Sequence, residues 1–194
     1  MADNKTDEEI IISYKNGDRE AFKSLINRYA TPLYNFVIRM TNRNDAPDIV
    51  QEIFIKVWKN IEHFNPLKAG FKTWIFTIAR NATIDFLRKK KSLLFSDMPV
   101  RRGREKDNDE DINYFTENIP SEDLLPDEAL QKLQDKKILN DILKKLSQSY
   151  REVLVLHYQE EMTFEEIGKI LDKPLNTVKS QHRRAILELR KMLE

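Results

Sequence analysis

No cysteine occurs among the 194 residues. Disulfides, Cys-ligated zinc and thiol catalysis are thereby excluded, and a reducing cytoplasm is the expected compartment. Glycine is scarce, at four residues, too few for a Gly-rich phosphate loop. The three histidines, His63, His157 and His182, are scattered and lack the spacing of a metal-binding helix. No apolar run approaches the roughly 20 residues that span a bilayer. Met1 to Asn16 is acidic, without the basic and then apolar order of a signal peptide. Neither membrane insertion nor export is expected.

What the chain does have is an apolar fraction of 40%, enough to give one large or two small domains a core. Its net charge of +1 conceals a sorting of charge along the chain. Phe64 to Lys91 carries seven Lys or Arg against Asp85, and Lys173 to Lys191 carries six against Glu188. Between these blocks, Glu105 to Glu128 holds ten Asp or Glu against Lys106. Two basic blocks flanking an acidic one fit a pair of polyanion-binding modules on a linker, because neutralising phosphates supplies much of nucleic-acid affinity.

The apolar pattern is helical throughout. From Asp18, the residues Phe22, Leu25, Ile26, Tyr29, Leu33, Phe36, Val37 and Met40 recur at spacings of three and four, with Pro32 expected to kink or break the helix. Ile49, Ile53, Val57 and Ile61 predict a helix over 46–61, and Trp74, Ile78, Ala82 and Phe86 another over 73–87. Asn65-Pro66 and Gly70 mark the loop between them. Periodicity fades from Ser92 to Leu125, so 96–125 is read as a flexible acidic linker between an N-terminal domain, 1–95, and a C-terminal domain, 126–194. Helical pattern resumes at Leu133, Ile138, Ile142 and Leu146, and then behind two candidate capping boxes, Ser149-x-x-Glu152 and Thr163-x-x-Glu166. Lys173-Pro174 ends one helix, and Asn176 is expected to cap the last. No alternating strand pattern is seen, so the fold class is all-α.

Two sets of residues could carry function. Thr163 to Arg190 reads as a helix-turn-helix, with Gly168 allowing the close crossing and Lys179, Ser180, Arg183 and Arg184 on the amino half of the second helix. In the N-terminal basic block, Phe64, Phe71, Trp74 and Phe76 interleave with Lys68, Lys72 and Arg80. Rings for stacking and cations along a backbone suit single-stranded nucleic acid, although rings at helical spacing also suit a core.

Asp48-Ile49-Val50-Gln51-Glu52-Ile53-Phe54, then Phe71-x-Thr73-Trp74-Ile75-Phe76-x-Ile78-Ala79-Arg80-Asn81, then Thr177-Val178-Lys179-Ser180 resemble the signatures of the sigma-70 family in its extracytoplasmic-function group. The resemblance implies a two-domain sigma factor whose partners are core RNA polymerase, promoter DNA and an anti-sigma factor. It places core binding on Asp48, Gln51, Glu52 and an exposed Phe54. Minus-ten binding falls on Phe64, Asn65, Lys68, Lys72, Trp74, Arg80, Asn81 and Arg88, with a flipped base held by the loop 64–70 and Asn81, and Phe64 or Phe71 stacking on it. Minus-thirty-five binding falls on Thr177, Lys179, Ser180, Gln181, Arg183 and Arg184. Gln181 stands where the family usually has arginine, which is expected to weaken one contact. His182 stands where an apolar residue is usual and bears on how the middle of the recognition helix packs.

Two other readings compete. Asp45, Asp48 and Glu52 lie at helical spacing and could hold a divalent metal for a nuclease, but no second acidic cluster or histidine pair supports them. No catalysis, metal, cofactor or small-molecule substrate is therefore expected. An ordinary helix-turn-helix regulator with a sensing N-terminal domain would share the C-terminal pattern; its N-terminal domain would need an apolar pocket in place of basic and aromatic residues.

Overall fold

The computed structural model describes residues 5–41, 43–96 and 141–193, and the regular elements in them are all helical. The first, α1 (Asp7–Lys15), went unread in the sequence. It starts with a reciprocal cap: the Thr6 hydroxyl accepts from the Glu9 amide at 3.2 Å, and the Glu9 carboxylate accepts from the Thr6 amide at 2.8 Å. Asp7 ties this helix to the next, accepting from Arg28 at 2.5 Å and from the Tyr29 hydroxyl. Burial and that carboxylate push the Tyr29 phenol well above its ordinary pKa.

Gly17 makes the turn into α2 (Arg19–Met40) at φ 101°, a conformation that suits glycine, and Asp18 caps α2 through the Glu20 amide at 3.1 Å. The expectation of a break at Pro32 is not met. The helix runs through it, because Leu33, Phe36 and Val37 are fully buried just beyond and their packing outweighs the one lost backbone hydrogen bond. Helix α3 (Ala46–Asn60) follows, with Pro47 in its first turn, and a short 3-10 turn, Ile61–His63, leads to the loop. Helix α4 (Phe71–Ser96) is longer at both ends than the periodicity predicts. Phe36 and Phe76 meet edge to face at 5.6 Å, and Ile49, Ile53 and Ile75 are sealed beside them.

In the C-terminal half, residues 141–145 are helical, followed by α5 (Gln148–Leu154) and one turn of π-helix (Val155–Gln159). The helix-turn-helix is α6 (Phe164–Leu171) and α7 (Leu175–Leu193). Two predicted caps are corrected. Ser149 lies inside α5, whose N-cap is Ser147, and Glu152 is buried, accepting from Gln148 at 3.0 Å, so it cannot reach back to an N-terminus. Asn176 lies inside α7, whose first turn closes on the Pro174 carbonyl through the Thr177 amide at 2.9 Å. The box at Thr163 forms as read: its hydroxyl accepts from the Glu166 amide at 3.3 Å, and its amide donates to Glu166 at 2.9 Å. The predicted linker, and the periodicity at Leu133 and Ile138, lie outside the described residues.

The two halves share one apolar core. Val153, Val155, Leu156, Met162, Ile167 and Ile170 are continuous with the buried residues of α1 to α4. A smaller cluster of Leu143, Leu146, Leu154 and Ala185 closes the far end.

Candidate nucleic-acid interface

Helices α6 and α7 cross closely because Gly168 has no side chain. A Cβ there would stand 2.8 Å from the Lys173 carbonyl oxygen, inside van der Waals contact with backbone. The turn is closed by the Lys173 amide donating to the Gly168 carbonyl at 2.9 Å, with Asp172 left-handed at φ 52°. Helix α7 is pinned by Val178 and Ala185, seven residues apart on one face and both fully buried. The opposite face presents Thr177, Lys179, Ser180, Arg183 and Arg184 to solvent. This is the arrangement a groove-reading helix needs, with cations and a hydroxyl on the amino half and an apolar back. Gln181 departs from the set: it is half-buried and accepts from Lys173 at 3.3 Å. His182, also half-buried, joins a ring cluster with His157, Tyr158 and Phe164.

The second expected surface lies along α4 and the loop before it. Lys68, Asn65, Asn81 and Arg88 are exposed. The side-chain oxygen of Asn65 accepts from the Leu67 amide at 2.9 Å, so Asn65 shapes the loop and holds Leu67, 94% exposed, at its tip. Asn81 accepts from Arg80 at 3.4 Å. The expectation that Phe64 or Phe71 offers a stacking face is corrected. Both are buried, packed on each other edge to face at 5.5 Å, and only Trp74, which packs on both, is partly accessible.

Helix α3 presents Asp48 and Gln51 to solvent, and the half-exposed Glu52 pairs with Lys56 at 2.8 Å. Phe54 is not exposed as expected; it packs partly buried against the core. The apolar groups that do stand on this helix's outer side are Ile55, 44% exposed, and Trp58, 55% exposed. A signal for them was present. Gln51, Ile55 and Trp58 are spaced four and three apart, so the α3 pattern carries apolar residues off the core stripe that Ile49, Ile53 and Val57 define.

Contacts between the halves engage part of the α4 surface. Lys72 donates to the Glu160 carbonyl at 2.5 Å, and the Lys68 carbonyl accepts from Lys169 at 3.4 Å. Arg80 Nε stands 3.5 Å from the carboxylate of Glu152, whose residue is buried, and makes no hydrogen bond despite its own burial. That pair is Coulombic contact without a directional bond. Arg151 bridges more firmly, donating to the Leu143, Lys144 and Leu146 carbonyls at 2.8–3.1 Å and to the Arg39 carbonyl of α2 at 3.1 Å. Among the described residues no group of three or more His, Cys, Asp or Glu could hold a metal ion, and no helix is long and apolar enough to cross a membrane.

Comparison with known proteins matches two stretches of the chain. Residues 25–93 match the model for sigma-70 region 2, and residues 142–191 match that for sigma-70 region 4. The ECF RNA polymerase sigma factor SigW of Bacillus subtilis is 36% identical over 180 residues, which cover 92% of this chain and 92% of SigW. The ECF RNA polymerase sigma-E factor of Haemophilus influenzae is 29% identical, covering 100% of this chain and 96% of its own. In fold, the chain is similar to RpoE of Bartonella quintana, a sigma factor solved in complex with the anti-sigma factor NepR, at a TM-score of 0.66 and 24% identity over 89% of this chain and 96% of that one. It is equally similar to CnrH, solved with the cytosolic domain of CnrY, at a TM-score of 0.66 and 22% identity over 96% of each chain.

Proposed function

The chain belongs to the sigma-70 family, in its extracytoplasmic-function group, and on that premise we propose how its surfaces divide the work of a sigma factor that brings core RNA polymerase to promoters. The observation that carries the division is the helix-turn-helix, whose second helix turns its cations outward and its apolar residues inward. Lys179, Ser180, Arg183 and Arg184 read the minus-thirty-five element, and Thr177 contacts phosphate beside them. Gln181, held by Lys173, stands back from the groove. The match of residues 25–93 to region 2 sets aside a sensing domain of an ordinary regulator.

The acids of α3 supply charge complementarity to a basic partner, and Ile55 and Trp58 supply the apolar anchors, so Asp48, Gln51, Glu52, Ile55 and Trp58 form the surface for core polymerase. Minus-ten DNA follows α4 through Lys68, Lys72, Arg80 and Arg88. The loop 64–70 with Asn81 receives an extruded base: Asn81 offers donors and acceptors to its edge, and Leu67 and Trp74 offer apolar cover. Phe64 and Phe71 support Trp74 from beneath. Lys72 and Arg80 are engaged by the C-terminal half in this arrangement, so binding of the minus-ten strand requires the halves to part. The protein works in the cytoplasm, where polymerase is, without catalysing a reaction itself. An anti-sigma factor is proposed as a further partner, as RpoE has in NepR.

Run-off transcription with core polymerase on a genomic template pool tests the reading. Discrete transcripts that require both core and this chain are expected; an unchanged transcript pattern on adding the chain would contradict it.

A further inference from the structure

The π-helical turn Val155–Gln159 places two consecutive rings, His157 and Tyr158, against the middle of α7. Its extra residue is taken up by the Glu160 amide reaching back to the Val155 carbonyl at 3.2 Å. His157 Nδ1 lies 2.9 Å from the Met162 carbonyl oxygen, and since a carbonyl only accepts, Nδ1 carries the proton and donates. The His157 ring stacks on Phe164 of α6 at 4.5 Å with an interplanar angle of 21°. His182 closes the cluster from α7, its ring centre 5.2 Å from His157, 5.1 Å from Phe164 and 5.6 Å from Tyr158. Its Nε2 is 3.0 Å from the Tyr158 hydroxyl.

The position of this contact gives it consequence. His182 immediately precedes Arg183 and Arg184 and follows Lys179 by three residues, so a contact at its ring bears on the rotation of the reading face about the α7 axis. Val178 and Ala185 hold the helix by apolar packing, and Lys173 donates to the adjacent Gln181 at 3.3 Å. The bond from His182 to Tyr158 is directional. Taking α7 as the minus-thirty-five helix, we propose that His182 is a positioning residue for promoter reading, holding α7 in register through Tyr158 only while its imidazole is neutral, so that minus-thirty-five discrimination weakens on acidification.

The groups facing His182 are the His157 imidazole and Tyr158 hydroxyl of the π-turn and the Phe164 ring of α6, with Arg183 beside it in sequence; none is a carboxylate. Partial burial and then His157 lower its affinity for a proton below the ordinary histidine value of 6.5. The native contact therefore binds fewer protons than the unfolded chain. Its stabilisation is complete above the ordinary value and is lost as pH falls through the lower native one. In either neutral tautomer, protonation places a cation beside His157 in a cluster of rings; in the tautomer whose Nε2 accepts from Tyr158, it also obliges that hydroxyl to reverse.

Holoenzymes carrying the wild-type chain, His182→Phe or Tyr158→Phe are compared on a promoter with an intact and with a scrambled minus-thirty-five element, across about pH 5 to 8. Wild-type discrimination is expected to fall several-fold on the acid side, while His182→Phe, which keeps a ring but cannot take a proton, gives a flat profile. Tyr158→Phe is expected to lower discrimination about two- to tenfold at neutral pH, the equivalent of one hydrogen bond. Equal pH slopes for wild type and His182→Phe would overturn the inference alone. Absence of discrimination in every protein at every pH would overturn the assignment of α7, and the inference with it. Nuclear magnetic resonance titration of the imidazoles in the full chain gives a measure that does not depend on the histidine variant folding. His182 is expected to titrate below 6.5 and to shift in Tyr158→Phe; an unshifted titration would contradict the contact.

Discussion

Lys179 and Arg184 are both exposed cations on α7, yet they can do different things in a groove. A guanidinium can bond a guanine edge through two donors, whereas an ammonium is a point charge suited to phosphate. Arg184→Ala is therefore expected to cost about 1–3 kcal/mol on the preferred promoter and to relax the choice of base at one position, whereas Lys179→Ala weakens all sequences alike and lowers the salt slope by about one. Binding of the holoenzyme to single-base promoter variants at several salt concentrations separates the two, and identical effects would contradict the division. Asn81, exposed on α4, is tested on a pre-melted template: Asn81→Ala is expected to change base preference at one minus-ten position with thermal stability nearly intact. Lost stability with unchanged preference would make Asn81 structural. These exposed polar residues were legible in the sequence because charge and hydrogen-bonding capacity belong to the residue itself. The burial of Phe64 and Phe71, the withdrawal of Gln181 onto Lys173 and the contact of His182 with Tyr158 were not, because each depends on how loops and helices fold back on one another and not on the residue type alone.

At the level of elements, Gly168 connects sequence, geometry and stability in one position. Its substitution by alanine would bring a methyl to 2.8 Å from the Lys173 carbonyl, and since that oxygen belongs to the turn's backbone it cannot swing aside as a side chain would. Gly168→Ala is expected to cost about 1–3 kcal/mol, read by denaturant unfolding, despite the gain in helix propensity. A stabilised variant would show that α6 and α7 do not cross as described. Apolar periodicity marked α2 to α6, because a one-sided core imposes a helical repeat that any reader of the chain can count, whereas α7 was read from the break at Lys173-Pro174. It missed α1, whose nine residues bury chiefly Ile10 and Ile11 and give too short a stripe. The cap at Ser149 failed for a tertiary reason: Glu152, the residue expected to complete it, lies buried facing Arg80 across the contact between the halves.

For the whole molecule, the two halves hold each other through a shared apolar core and a rim of polar contacts that includes residues proposed for DNA. The ion pair of Glu152 with Arg80 lies in that rim at 3.5 Å, with no hydrogen bond on the buried arginine Nε, so loss of the carboxylate's charge would leave the Arg80 charge uncompensated at the contact between the halves. Glu152→Gln removes its charge while keeping its shape, and is expected to enlarge the radius of gyration measured by X-ray scattering and to speed amide exchange along α4 and α6, with helix content unchanged. An unaltered radius and exchange pattern would show that the pair does not hold the halves together. The sequence could not have announced this contact, since its two partners lie 72 residues apart by the difference of 152 and 80. The central claim is that the chain reads promoters as a subunit of polymerase, and it is tested most directly by measuring binding to one promoter fragment with the chain alone, core polymerase alone and both together. Specific binding at moderate salt only when both are present is the predicted result; equally tight and specific binding by the chain alone would contradict it.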